Sequence, residues 1–422
     1  MCCCSSPWKD LSGEVSFLAR KRAELESERR AGESLPPPGA IGPEHLLTLI
    51  RTGAATSRGA LARMTGLSRS TVAQRVDALI EAGYVREGGP GTSSGGRPPA
   101  VLEFDGSRKL VLTAAIDPSL LVAGLVNFAG TVVDRRVREV RVADGPAVVL
   151  PLVEAEFRAL ITDWQVHPSS LSGIGVSVPA PVEHLTGRPI GPTIMPGWHD
   201  CPIREKLSEK FALPVYVDND ANVMALAEYR NLEHDVTNML YVRASDGIGA
   251  GLVLNGKLYR GAVGAAGAIG HTAVNGCTDL CTCGNVGCVA AVASGHAIAA
   301  RLRDTKPGTR NAADVVLLAQ QGQQDAIAML RTAGRALGRV LAGAVNLLDP
   351  GAVVIGGELS QVQDFLTGIR EEVYGRALPL AAGHLQIIQA SLGKDAGIKG
   401  AATLVADELL TPRPVLDHLI PA

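Results

Sequence analysis

The sequence predicts an α/β protein with a small winged helix-turn-helix head at its N-terminal end. Three observations predict it. Residues 44–104 read as three short amphipathic helices followed by a glycine- and serine-rich hairpin. From Leu110 onward apolar strands alternate with helices. Between residues 271 and 288 a histidine stands beside a tight cluster of cysteines. The composition agrees. A chain of 422 residues suits two or three domains, and 46% apolar residues suffice for large cores. Charged residues, at 19%, are too few for a disordered or coiled-coil protein. Aromatics, at 4%, are too scarce for a surface that stacks bases or sugars. The net charge of −2 means that any nucleic-acid site is a local patch. No uncharged apolar run reaches membrane-spanning length, so the expectation is a soluble protein with no membrane partner.

The chain opens with Cys2-Cys3-Cys4, and Met1–Pro7 lacks the basic and apolar regions of a secretory signal. The other cysteines are Cys201, alone, and Cys277, Cys281, Cys283 and Cys288, close together. A disulfide framework would spread its cysteines along the chain, so reduced, cytoplasmic, partly metal-bound thiols fit better. Residues 1–41 read as a disordered tail, with Arg20–Arg30 a charged run ended by Pro36-Pro37-Pro38, and 411–422 as a C-terminal tail.

The head spans 42–105. Glu44–Arg51 carries Leu46, Leu47, Leu49 and Ile50 mostly on one face, and a second helix fits Arg58–Met64 with Leu61 and Met64 inward. Thr65-Gly66-Leu67 is a tight turn in which glycine takes positive φ. Ser68 caps a third helix running to about Ala82, with Val72, Val76, Leu79 and Ile80 as its apolar stripe and Gly83 as its stop. That spacing makes the third helix the DNA-recognition helix. Its exposed face carries Arg69, Ser70, Thr71, Gln74 and Arg75, side chains that reach phosphates and base edges. Tyr84–Arg86 and Ala100–Phe104 read as strands around a wing, Glu87–Pro99, in which Gly95-Gly96-Arg97-Pro98 suits a narrow minor groove through Arg97. Within residues 42–98 seven arginines face four acids, a balance of +3 against −5 for the rest of the chain. Such segregation is the footprint of a double-stranded DNA partner.

The body spans 106–410. Leu110–Ile116, Leu121–Asn127, Leu171–Val178 and Val215–Val217 read as strands, Ala147–Thr162 and Cys201–Phe211 as helices. Cys281-Thr282-Cys283-Gly284-Asn285-Val286-Gly287-Cys288, with His271 ten residues upstream, offers three thiolates and an imidazole. That donor set fills a closed tetrahedral Zn2+ site and implies a structural metal with ligands His271, Cys281, Cys283 and Cys288. Cys277 stays open as a rival ligand.

Several motifs occur in an order that resembles the ROK family of bacterial repressors and sugar kinases. They are Gly95-Gly96-Arg97-Pro98-Pro99 after the winged helix, Gly173–Pro179, Asp218-Asn219-Asp220-Ala221-Asn222, Asp246–Gly251 with Asn255–Leu258, Gly270-His271 with the cysteine knot, Asn346–Gly357 and Leu392–Gly397. The resemblance covers about residues 44–405. It implies a two-lobed, actin-like body with a sugar site in its cleft and a homodimer or homotetramer. It also assigns Asn219, Asp220 and His271 to ligand binding, with Asp220 matching the kinase general base.

The departures from the kinase pattern are specific. The first phosphate loop, Asp-x-Gly-Gly-Thr in kinases, corresponds to Asp117-Pro118-Ser119-Leu120-Leu121. Without its glycines the backbone is denied close approach to a phosphate. The second, Gly-Thr-Gly-Ile-Gly, corresponds to Ser245-Asp246-Gly247-Ile248-Gly249, and an unpaired carboxylate at Asp246 would repel nucleotide. Two glutamates that hold hexose hydroxyls in relatives correspond to Ala268 and Ala290, and a glycine to Ala180. The expectation is a non-enzymatic regulator of carbohydrate-related genes, a repressor on a palindromic operator with a sugar or sugar-derivative effector. The alternative is an ATP-dependent hexose-type kinase with an appended head. A third reading is a constitutive regulator whose cleft binds nothing.

Overall fold

The computed structural model describes residues 41–51, 53–90, 100–191, 195–232 and 236–410. The proposed tails 1–40 and 411–422, and Arg97 of the wing, lie outside the described residues. Contacts divide the chain into two compact units. One holds the described residues up to Phe104 together with Leu410, the other Asp105–Leu409.

In the first unit, α1 (Pro43–Arg51), α2 (Arg58–Thr65) and α3 (Arg69–Glu81) precede an antiparallel hairpin of β1 (Val85–Pro90) and β2 (Ala100–Phe104). Leu46, Leu47, Ile50, Leu61, Val72, Val76 and Leu79 are buried together with Leu102 of the hairpin. Ser57 and Ser68 cap α2 and α3 by accepting from the N–H groups of Ala60 and Thr71, and Gly66 ends α2 at φ +71. Two details differ from expectation. Met64 is 44% exposed, and Thr65 fills the inward place at the end of α2, its hydroxyl donating to the Leu61 carbonyl. Ile41, assigned to the tail, is buried at 1% exposure, and its carbonyl accepts from Arg75.

The second unit is built on two five-stranded sheets. The first has the order β5-β4-β3-β6-β9, from β3 (Leu110–Ile116), β4 (Leu120–Asn127), β5 (Val132–Glu139), β6 (Leu171–Val178) and β9 (Val215–Asn219). Here β3, β6 and β9 run parallel, while β4 is antiparallel to β3 and to β5. Between β6 and β9 the small hairpin β7 (Val182–Glu183) and β8 (Arg188–Pro189) intervenes. One face of the sheet buries Val149, Val153, Phe157 and Leu160 of α4 (Pro146–Asp163) and Ile203 and Leu207 of α5 (Ile203–Phe211). Removing each such side chain from water contributes roughly 1.5–3 kcal/mol.

The second sheet has the order β12-β11-β10-β13-β14, from β10 (Met239–Ala244), β11 (Ile248–Leu254), β12 (Lys257–Tyr259), β13 (Ala352–Gly356) and β14 (Gln386–Gln389). Its outer face is covered by α7 (Ala290–Ala293), α8 (Gly295–Leu302), α9 (Ala312–Gln320), α10 (Gln324–Leu348) and α11 (Gln363–Arg376), followed by the short α12 (Pro379–Ala382). The long helices α10 and α11 cross with almost no side chain between their axes. A methyl on Gly334 would collide with the Phe365 carbonyl, and one on Gly368 with the Arg331 carbonyl.

Two helices join the sheets. The first, α6 (Asp220–Asn231), follows β9 but packs through Ala225 on Met239, Tyr241, Val253 and Val354 of the second sheet. The second, α13 (Ala396–Leu410), lays Ile398, Ala402 and Val405 on Val111, Ala115 and Val126 of the first sheet. Val223 and Leu226 of α6 then meet Ala401 and Leu404 of α13. Asp117, Asn219, Ser245 and Gly357 consequently follow or end the strands β3, β9, β10 and β13 at their carboxyl ends, the place where open α/β sheets bind ligands.

Candidate functional site

In the first unit, Ser68, Arg69, Ser70 and Gln74 are exposed on the N-terminal half of α3. The Ser68 hydroxyl lies 2.8 Å from those of Ser70 and Thr71, so the start of the helix is a fixed cluster of hydroxyls beside the exposed Arg69. Arg75 differs from expectation. It is half-buried and its guanidinium donates to the Ile41 carbonyl, which ties α3 to the segment before α1 rather than presenting a side chain outward. Arg58 holds the other flank of α3, donating to Asp77 at 2.7 Å and to Glu87 of β1.

In the second unit, Asn219 and Asp220 stand at the junction of β9 and α6. The Asn219 side chain caps α6, its oxygen accepting from Ala221 N–H at 3.0 Å, while its amide donates to the Ala180 carbonyl at 3.0 Å. Asp220 is 7% exposed; one carboxylate oxygen accepts from Ala221 N–H at 2.7 Å and the other lies 3.2 Å from Arg243 Nη1. Arg243 Nη2 also donates to Asp117 at 2.7 Å. Burial works against the Arg243 cation, but Asp220, then Asp117 and Glu358, carry its pKa above the ordinary range. Burial raises the Asp117 carboxyl, Arg243 opposes the rise, and Asp220, Glu358 and Asp246 add to it.

A second arginine lies close by in the chain. Arg260 follows β12, and its Nε donates to Asp218 Oδ2 at 2.6 Å; its Nη2 lies 3.8 Å from Glu408 Oε1. The other Asp218 oxygen accepts from the Asn219 N–H and the Asn222 amide. Sequence reasoning missed both arginines. The signal was present for Arg243: a lone cation inside the apolar strand Met239-Leu240-Tyr241-Val242-Arg243-Ala244 requires a buried partner.

The turns at 117–121 and 245–249 are closed by the protein itself. Asp117 N–H donates to the Leu120 carbonyl as a tight turn, and the Pro118 and Ser119 carbonyls accept from Val142 and Val140. Asp246 corrects the expectation of an unpaired anion, because its carboxylate accepts from Ala312 N–H at 2.6 Å, at the first turn of α9. Burial nevertheless raises its pKa, this N–H pulls it back, and Glu358 pushes it up again. Ala268 is exposed and Ala290 half-buried, and neither alanine has a side-chain acceptor for a hydroxyl.

The ligand atoms of His271, Cys281, Cys283 and Cys288 all lie within 4.8 Å of one another. Cys283 and Cys288 sulfurs are 3.7 Å apart, and Cys281 sulfur is 3.6 Å from His271 Nδ1. Thiolates at about 2.3 Å from a tetrahedral zinc stand about 3.8 Å from each other, so the donor set fits that ion. Cys277 is turned to Asp279 at 3.4 Å and is not among the four. The knot is folded by its backbone, with Cys281 N–H donating to Asn285 and Val289 N–H to Thr272, which sets its end directly before α7.

Residues 123–408 match the ROK family, and residues 45–86 match winged helix-turn-helix DNA-binding. The chain belongs to the ROK family. A xylose repressor of Bacillus subtilis is 31% identical over 371 residues, covering 86% of this chain and 94% of that protein. A glucokinase of Halalkalibacterium halodurans is 33% identical over 297 residues, covering 66% of this chain and 90% of that one. Among solved structures, a ROK family transcriptional regulator described as a homologue of the E. coli MLC protein matches with a TM-score of 0.72. It shares 24% identity and covers 87% of this chain and 96% of its own. The fold is therefore a winged helix-turn-helix followed by the actin-like body of the ROK family.

Proposed function

We propose that this ROK protein is a sequence-specific transcriptional repressor of carbohydrate-related genes, with a cleft that binds a sugar-type effector and performs no phosphoryl transfer. The observation that carries the reading is the face of α3, where Arg69, Ser70 and Gln74 stand exposed beside the hydroxyl cluster at the helix start. Side chains of these types at the first turns of a recognition helix read base edges, and the N–H groups there favour phosphate. Arg97 of the wing would add a minor-groove contact. Two heads brought together by a homodimer, or paired within a homotetramer, would read a palindromic operator.

Loss of kinase chemistry is supported by the ion pair on Asp220. A general base must accept a proton from a substrate hydroxyl, and Oδ2 of Asp220 already faces the Arg243 guanidinium at 3.2 Å. The body then serves as dimeriser and sensor, with Asn219, Asp220 and His271 as its candidate ligand contacts. His271, Cys281, Cys283 and Cys288 would hold a structural zinc. Among the described residues no helix is long and apolar enough to cross a membrane. A DNA-binding role supports a cytoplasmic location.

The test is selection of DNA from a randomised pool by zinc-replete protein, followed by titration of the selected site at several salt concentrations. Recovery of a palindrome with a strongly salt-dependent affinity is expected. Recovery of no preferred sequence overturns the repressor reading. Melting curves with D-xylose and a panel of other sugars identify the effector class. A coupled ATP assay over the same panel, with Asp220→Asn as blank, is expected to show no turnover above the blank.

A further inference from the structure

We propose that Arg243 and Arg260 form a two-point latch that holds the two sheets of the body together. The inference concerns the body alone and stands or falls independently of DNA binding.

Both arginines project from the second sheet, Arg243 from β10 and Arg260 from the end of β12. Both meet carboxylates of the first sheet. Arg243 bonds Asp117 at the end of β3, and Arg260 bonds Asp218 on β9, at 2.7 and 2.6 Å. The two ties lie on different strands of each sheet, so any rotation of one sheet against the other, except about the line that joins the ties, breaks at least one of them. The helices α6 and α13 also join the sheets, through apolar packing and the more exposed Arg230–Asp407 pair at 2.8 Å. Ion pairs with directed hydrogen bonds do not slide; they hold or they part.

The ties are shielded from water. Side-chain exposure is 14% for Arg243, 16% for Arg260 and 3% for Asp218, with Asp117 the most open of the four at 29%. Their charges are therefore poorly screened, and removing one partner leaves the other buried without a counter-ion. Asp117, Asp220, Asp246 and Glu358 all bear on the Arg243 cation, and among the described residues Glu358 Oε2 has no hydrogen-bond partner. Glu408, near the end of α13, faces Arg260 and also His184 at 3.6 Å, so the second tie involves the last turns of that helix as well.

The experiment is hydrogen–deuterium exchange on the full-length, zinc-replete protein without DNA or sugar. Wild type is compared with Arg243→Gln, Arg260→Gln and the double variant. The expected result is about tenfold faster exchange in the double variant at the 117–120 turn and the start of α6, with the zinc knot and the helices of the outer face unchanged. The lysine variants of both positions should recover part of the protection. Should the double variant fail to fold, Asp117→Asn with Asp218→Asn breaks the same ties from the other side and leaves the arginines facing Asp220 and Glu408. Exchange at 117–120 and 215–222 that matches wild type in a folded double variant of either kind overturns the latch.

Discussion

Glu228 lies in the last turns of α6 and its carboxylate is closed on Ser391. Its oxygens accept from the Ser391 N–H at 3.1 and 3.2 Å and from the Ser391 hydroxyl at 3.1 Å, and one of them also accepts from the Leu392 N–H at 2.9 Å. Glu228 is only 2% exposed. A buried carboxylate bound by so many donors fixes the loop before α13 to the helix that begins at Asp220. Glu228→Ala strands those donors and is expected to destabilise the body by about 3 kcal/mol, with Glu228→Gln losing less. Chemical denaturation of the two variants against wild type measures it. Equal stability of all three would mean that water replaces the carboxylate without cost.

The head separates reading residues from scaffold residues. Arg69→Ala and Gln74→Ala should each weaken operator binding by about 1–3 kcal/mol while leaving the melting temperature nearly unchanged. Arg75→Ala should do the reverse, lowering the melting temperature through loss of the Ile41 tie and preserving the ranking of operator sequences. Binding titrations on the cognate site and on single-base variants distinguish the two patterns. An Arg75→Ala protein that melts normally but reads a changed sequence would restore Arg75 to the DNA face.

Stability should respond to pH through Asp246. Its native pKa is raised, chiefly by burial, so the native state binds the proton more tightly than the unfolded chain. Between the unfolded value and the raised native one, stability falls as pH rises. Asp246→Asn keeps an acceptor for the Ala312 N–H and removes the charge. It is expected to melt higher than wild type at neutral pH, with the gain fading as acid protonates the wild-type carboxyl. Melting curves across the acid-to-neutral range check the sign. A lower melting point at neutral pH would show that the charge at the start of α9 outweighs its burial.

Metal removal should act on the second sheet. Chelation, or Cys283→Ser, is expected to release about one zinc per chain and to unfold the segment leading into α7. Elemental analysis with circular dichroism before and after chelation tests this. Cys277→Ser is expected to retain the metal, since its thiol faces Asp279. A metal-free protein with an unchanged melting curve would remove zinc from the account.

The parts legible in the sequence were those where one physical signal dominates. Strands β3 and β6 span the residues that their apolar runs predict, because parallel strands buried on both faces carry little else. Strand β5 escaped, since Val132-Val133-Asp134-Arg135-Arg136-Val137-Arg138-Glu139 is an edge strand whose charges mask it. The caps at Ser57 and Ser68 are local, and of these Ser68 was predicted; Arg75 was misread because its partner, Ile41, lies 34 residues away in sequence. The cysteine spacing left Cys277 and its neighbours as rivals, and only the turn of the chain toward Asp279 separates them. Asp246 was taken as unpaired because its partner is a backbone N–H at Ala312, which no side-chain pattern announces.

The glycine seam between α10 and α11 divides this helix pair into two regimes of mutational freedom. Along the crossing, Gly334 and Gly368 face carbonyl oxygens, so even a single added carbon is refused. Beside it, Arg331, Arg335 and Arg339 pair with Glu371 and Glu372 on the surface, where a lost pair costs little and other residues can serve. A saturation library across this pair would therefore show empty columns at the two glycines flanked by permissive columns at the arginines. Its most forbidding positions would be those with no side chain to lose.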